Sequence, residues 1–303
     1  MESILERLRA GETLLGDGAM GTMLQQCAPG GIGTCPEAIN LERPELLEEI
    51  ARRYLDAGAE LIETNTFGAS PLKLAAHGLE NKTEEINRRA VEAVRTAVGG
   101  EVGGRAYVSG SCGPCGRMLK PYGDADPELV REGFVTQMRA LADAGVDVIC
   151  IETMTDLAEA VLALQAAKEA APGIPVIATM TFDLTARGFF TMMGVSVEKA
   201  AAGLQEAGAD VVGSNCGNGI EKMIEVARLF RQCTDLPIII QSNAGLPEMK
   251  DGELVYSETP EFMADKAGAL VDIGVSIIGG CCGTTPDHIR ALKKMIDSRG
   301  DQS

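Results

Sequence analysis

Three cysteines stand where thiol chemistry is expected. Cys281 and Cys282 are adjacent within the run Ile277 to Pro286 (IIGGCCGTTP), framed by glycines. Neighbours on a regular strand point to opposite faces, so both thiols can address one atom only if the backbone kinks, which the flanking glycines permit. Cys216 has a similar setting in the run Val211 to Gly219 (VVGSNCGNG). Three thiolates at the ends of two strands could hold a zinc ion with one coordination position open. Such a site keeps a net negative charge, which limits its Lewis acidity but leaves a bound thiolate electron-rich; it suits thiol alkylation better than hydrolysis. The ordinary alternative is three core cysteines. Those more often lie inside apolar runs, as Cys150 does, whereas these three occupy Gly-rich tips.

The elements that must position them alternate along the chain. A short helix over residues 1–10 leads to a first strand at 13–15, which ends in Gly16-Asp-Gly-Ala-Met-Gly21. A Gly/Pro/Cys-bearing loop is expected from there to about Asn40, followed by a helix at 44–57. Further apolar runs of strand length fall at 60–64, 106–109, 147–151, 175–179, 210–213, 237–241 and 275–278. Helical patterns separate them at 84–97, 127–144, 157–170, 197–207, 220–232 and 260–271, and a last helix is expected at 286–296. Eight strands, each followed by a helix, predict an α/β fold, a (β/α)8 TIM barrel forming a single domain over 1–303.

An internal echo sets the register. Acidic-x-Gly segments recur with glycines at 58, 145, 208 and 274, spaced by 87, 63 and 66 residues, each entering a strand. That spacing suits two strand–helix units per period and assigns the four to strands 2, 4, 6 and 8. Seven residues beyond each glycine stand Asn65, Glu152, Asn215 and Cys281; eight beyond stand Thr66, Thr153, Cys216 and Cys282. Polar and thiol residues therefore converge at the C-terminal strand ends, where barrels carry their active sites.

Composition excludes several classes. The net charge is −17 and no dense Lys/Arg cluster interrupts it, so a nucleic-acid binder is not expected. The start has no basic segment and no run approaches about 18 apolar residues, so neither a signal peptide nor a membrane span is expected. A cytoplasmic setting follows, and there nine cysteines point to metal or thiol chemistry rather than a disulfide framework.

Gly16 to Gly21, Glu63-Thr-Asn-Thr-Phe67, Ser214-Asn-Cys-Gly217, Asn243-Ala-Gly245 and Gly279 to Pro286 together resemble the homocysteine S-methyltransferase family. They are most similar to the homocysteine-binding module of cobalamin-dependent enzymes of that family. The resemblance implies zinc held by Cys216, Cys281 and Cys282, with the Asn243 amide oxygen able to take the fourth position when substrate is absent. It also implies that Asp17 and Glu152 hold the substrate ammonium and that the backbone at Gly18 and Ala19 receives its carboxylate. Residue chemistry agrees, because an amino-acid substrate needs both a carboxylate acceptor and a nest of N–H donors. Ordinary capping of strand-end turns is the alternative for both acids. Glu63 could instead be a buried barrel carboxylate with a structural partner, and Asn65, Thr66 and Phe67 would shape the face that meets the methyl donor.

The implied activity is methyl transfer to homocysteine, giving methionine. With no further module expected after the last helix, the donor is expected to be methylcobalamin on a separate corrinoid protein. A sulfonium such as S-methylmethionine is the alternative. Betaine is disfavoured, because a quaternary ammonium wants an aromatic cage and the family's tyrosine positions read Gly68 and Met154 here. A rival of another class is a non-catalytic zinc or redox-sensing thiol protein. Cys112-Gly-Pro-Cys115 reads as a Gly-Pro turn with two incidental thiols, and a second site built with Cys27 and Cys35 is the less ordinary option. His77 and His288 are expected at the surface or as caps, not as acid/base catalysts.

Overall fold

A computed structural model describes residues 2–28, 33–99, 106–250 and 253–300. Barrel strands 1 to 8 are Leu14–Leu15, Leu61–Glu63, Tyr107–Cys112, Val148–Met154, Val176–Met180, Val211–Asn215, Ile238–Ser242 and Ile277–Gly280. All are parallel and each lies beside its sequence neighbour, with strand 8 paired to strand 1. A parallel bridge between Gly16 and Leu61 joins the remaining edges. Glu60 N–H donates to Leu15 O at 2.7 Å and Asp17 N–H to Leu61 O at 3.0 Å across that seam. The fold is the (β/α)8 barrel that the alternation predicts.

Inside, each strand contributes to one apolar layer: Leu14, Leu61, Tyr107, Val148, Ile177, Val211, Ile239 and Ile277. Ile4 and Leu8 of the helix Ile4–Arg9, which Ser3 caps, join this cluster. Inward positions recur every second residue along a strand. Counting upward in twos from the apolar layer therefore reaches Glu63 on strand 2 and Gln241 on strand 7 at the first step, and Ser111 on strand 3, Glu152 on strand 4 and Asn215 on strand 6 at the second. The barrel is apolar at its base and polar at its C-terminal mouth because the inward residue type changes above that layer. A larger apolar core fills the space between the strands and the surrounding helices.

The four glycines of the echo all adopt positive φ, from 83° at Gly274 to 100° at Gly58. Each reverses the chain from helix to strand in a conformation costly to other residues. Strands 3, 4, 6 and 8 run two or three residues past the apolar stretches, to Cys112, Met154, Asn215 and Gly280. Ladder bonds use backbone groups, so the polar tips continue the pairing. The region expected as one loop after strand 1 begins with a helix, Met20–Cys27, and residues 29–32 of that region lie outside the described residues. Two hairpins were not foreseen, Asp183–Thr185 with Gly188–Phe190 and Pro247–Lys250 with Glu253–Tyr256.

Candidate functional site

The three tip cysteines meet. Their sulfurs lie within 4.8 Å of one another, and they form the one such group of potential metal ligands among the described residues. Cys216 Sγ is 3.8 Å from Cys282 Sγ. Sulfurs at tetrahedral corners about 2.3 Å from a zinc ion would be about 3.8 Å apart. Asn243 Oδ1 is buried with no hydrogen-bond partner, and the Asn243 side chain is among the groups that hold the Cys216 thiol down. An unpartnered buried oxygen on a side chain that acts on this sulfur cluster is a group a cation would satisfy, so the residues fit a zinc ion.

The kink at the cysteine pair follows from the turn after strand 8. Gly283 has φ +81°, and a Cβ there would fall 2.1 Å from Tyr256 Cγ, so the Tyr256 ring lies against this turn. Thr284 Oγ1 donates to Cys281 O at 2.7 Å and accepts from Ala19 N–H at 3.1 Å. Cys216 reaches the same point by another route, with a left-handed backbone at φ 62°. Hydrogen bonds from Cys281 and Cys282 pull the Cys216 thiol down to about 3. Its thiolate in turn pushes Cys282 up to about 11 and Cys281 well up. The three thiols are therefore coupled, and Cys216 is the one held down.

Beside the sulfurs opens a cavity of about 270 Å³, lined by Glu63, Ser111, Glu152, Gln241 and the first turn of Met20–Cys27. Asn215 Nδ2 donates to Glu152 Oε2 at 2.9 Å, and Ser111 Oγ donates to Glu152 Oε1. Gln241 Nε2 donates to Glu63 Oε1 at 3.1 Å, leaving the buried Gln241 Oε1 without a partner. Asp17 lies a layer below, 1% exposed, and its Oδ2 accepts from Glu63 N–H at 2.9 Å. Burial and the neighbouring Asp17 push the Glu63 carboxyl up to about 7. Burial is also the first cause of the strong upward shifts of Glu152 and Asp17, with Glu63 adding to the former and Glu152 to the latter. An ammonium group placed here would neutralise this excess of acid.

The Ala19 N–H is engaged by Thr284, so it is not a spare donor. Ala19 is the N-cap of Met20–Cys27 and makes no side-chain cap bond, which leaves the N–H groups of that first turn beside the cavity. An uncapped helix start favours an anion such as a carboxylate. Gly18 is confined by its surroundings, since a Cβ would lie 2.7 Å from Thr284 Oγ1 and 2.9 Å from the Tyr54 hydroxyl.

Other expectations resolve by geometry. Asn65 is turned into the loop, donating to Pro36 O and to Asn40 Oδ1. Thr66 is fully buried and donates to Ser111 O at 2.7 Å, whereas Phe67 is 37% exposed at the mouth. Glu37, which the sequence did not single out, accepts from Gly68 N–H at 2.7 Å and lines the cavity. Cys112 and Cys115 are buried free thiols; burial pushes the first well up and the second to about 12. Low-pKa redox chemistry is not their character. No second metal-ligand group appears among the described residues. His288 Nδ1 accepts from Thr285 N–H at 3.2 Å, a capping role, and His77 lies 3.5 Å from Thr34 Oγ1. A larger cleft of about 680 Å³ is lined by Arg7, Glu12, Glu60 and Lys293. Those charges are paired, Arg7 with Glu12 and Glu60, and Lys293 with Asp297. No thiol is among its lining residues, so that cleft holds none of the three sulfurs that meet at the strand tips.

Residues 14–296 match the family model described as homocysteine S-methyltransferase. A methionine synthase of Mycobacterium leprae is 35% identical over 97% of this chain and 25% of its own length. One from Mycobacterium tuberculosis is 33% identical over 93% of this chain and 24% of its own. The chain thus spans about a quarter of these relatives. Among solved structures, the metallated form of the homocysteine methyltransferase MmuM from Escherichia coli superposes with a TM-score of 0.80 at 27% identity. That match covers 96% of this chain and 99% of MmuM.

Proposed function

We propose that this chain, which belongs to the homocysteine S-methyltransferase family, moves a methyl group onto the sulfur of homocysteine held at a zinc ion. Cys216, Cys281 and Cys282 would hold the metal, with the Asn243 oxygen in the fourth position until the substrate sulfur replaces it. Bound zinc would lower the thiol pKa so that a thiolate exists at neutral pH. The observation that carries the reading is the convergence of three sulfurs at the edge of a cavity, with the buried Asn243 oxygen left unpartnered. A closed structural site would have no substrate cavity alongside and no ligand that gives way to an incoming sulfur.

The chain's own residues would then orient the amino acid. Glu152 takes the ammonium, with Glu63 and the free Gln241 Oε1 within the same lining. Asp17 supports Glu63 from beneath through its backbone N–H. The first turn of Met20–Cys27, next to Gly18 and Ala19, receives the carboxylate. Fixing both ends leaves the side chain one direction, toward the cysteines. The sulfur lone pair attacks the methyl carbon, and the electron pair of the breaking bond leaves with the donor. Positioning and sulfur activation supply the rate, with no acid/base histidine required.

The donor in this reading is a methylated corrinoid carried by a separate protein. Supporting it are the partial exposure of all three cysteines and of Phe67, which leave the sulfur reachable by a bulky group. A cage for a quaternary ammonium finds no support: Met154 is fully buried, and Gly68 faces the Glu37 carboxylate. The decisive experiment measures methionine formation by zinc-loaded protein from homocysteine with methylcobalamin and, separately, with S-methylmethionine. Turnover with methylcobalamin is expected. Turnover with the sulfonium alone would reject the corrinoid donor, and turnover with neither would remove both donors from the proposal.

A further inference from the structure

We infer that Asn215 is the positioning residue that fixes the distance between the substrate's two anchors, the ammonium holder Glu152 and the sulfur-binding cysteines. This rests on the proposed function and adds to it a residue that the ligand assignments leave out. The Asn215 side chain is 1% exposed and all its polar capacity is engaged. Oδ1 accepts from Thr153 N–H at 2.8 Å and from Thr179 Oγ1 at 2.7 Å. Nδ2 donates to Glu152 Oε2 at 2.9 Å and to Thr153 Oγ1 at 2.8 Å, and lies 4.0 Å from Cys281 Sγ. One amide therefore bridges strands 4 and 5 and the turn after strand 8, while its own backbone leads directly into Cys216.

The backbone around it shows what this amide holds in place. Among the described residues, Thr153 and Cys216 are the two non-glycine residues with positive φ, at 58° and 62°. A β-branched threonine in that region persists only where its surroundings over-determine it. The two occupy equivalent places in the echo, eight residues past Gly145 and Gly208. Strand 4 is also bulged between Ile151 and Met154. Asn215 binds Thr153 through both its N–H and its hydroxyl, and so locks the kink that carries Glu152 next to the kink that carries Cys216.

Replacing Asn215 by aspartate separates this role from simple satisfaction of buried groups. Asn215→Asp keeps the shape and the Oδ1 acceptor for Thr153 and Thr179 but replaces the amide donor to Glu152 by a carboxyl oxygen, so the two carboxyls must share a proton or repel each other. Thr179→Val retains the amide and deletes one of the bonds that orient it. Calorimetric titration of zinc-loaded proteins with homocysteine, and with 2-mercaptoethanol as a thiol lacking an ammonium, reads the outcome. For Asn215→Asp we expect one zinc per chain, mercaptoethanol affinity within about twofold of wild type and homocysteine affinity at least about tenfold weaker. For Thr179→Val the homocysteine loss is several-fold with the same selectivity. Wild-type homocysteine affinity in Asn215→Asp, or equal losses for both thiols, would overturn the role. Should Asn215→Asp not fold, unchanged affinity in Thr179→Val overturns it. Failure of the wild-type protein to bind homocysteine would instead overturn the proposed function.

Discussion

The acids facing the cavity exceed what one ammonium can neutralise, and Glu63 is where this surplus has a readable consequence. Asp17, Glu152 and Cys150 are the titratable groups facing it, and Gln241 is its hydrogen-bond donor from strand 7. Its pKa in the fold, about 7, lies above the ordinary 4.5, so the folded chain binds this proton more tightly than the unfolded chain. The contribution to stability is present in full below the ordinary value and is lost as the pH rises through about 7. In ligand-free protein, Glu63→Gln should therefore lose less stability than wild type between about pH 5 and about pH 7.5. Chemical denaturation at the two pH values measures this, and parallel losses would assign the surplus proton elsewhere. At this scale the sequence was partly legible. Glu152 stood out as a polar residue at a strand tip, whereas Gln241 did not, because its meaning depends on Glu63, 178 residues away.

Among the elements, the helix-to-strand glycines and the turn at Gly283 use the same left-handed conformation for different ends. A Cβ on Gly145 meets nothing within 4 Å, so Gly145→Ala carries the backbone strain alone. We expect a loss of about 1 to 2 kcal/mol with unchanged zinc content. Gly283→Ala adds a collision with the Tyr256 ring and should displace the cysteine pair, lowering zinc retention as well as stability. Melting curves paired with metal analysis distinguish the two, and full zinc retention in Gly283→Ala would show that the turn does not set the sulfurs. Most helices and all eight strands were legible because apolar periodicity marks a buried face. The two hairpins carried little such mark: Asp183–Thr185 and Pro247–Lys250 are exposed throughout, and Gly188–Phe190 buries only Phe189, so burial had imposed no alternation long enough to read. The short strand ends were misjudged for a related reason, since ladder bonding outlasts the apolar run.

Over the whole molecule, parallel closure converts sequence distance into proximity. Cys216 and Cys282, 66 residues apart, come to 3.8 Å because strands 6 and 8 flank strand 7 and end at one level. The glycine echo makes that register readable in the sequence, since helix-to-strand reversals repeat at fixed intervals from the tips. The donor was not readable, because nothing in the barrel's own packing depends on it. Among the described residues no helix is long and apolar enough to cross a membrane. In the proposed function the cysteine cluster is an open metal site that accepts the substrate's sulfur. Zinc X-ray absorption of metal-loaded protein, with and without homocysteine, tests it most directly. Three sulfurs and one lighter ligand are expected without homocysteine, and a fourth sulfur replacing the lighter atom when it is added. An unchanged coordination shell would contradict it and favour a closed, non-catalytic site.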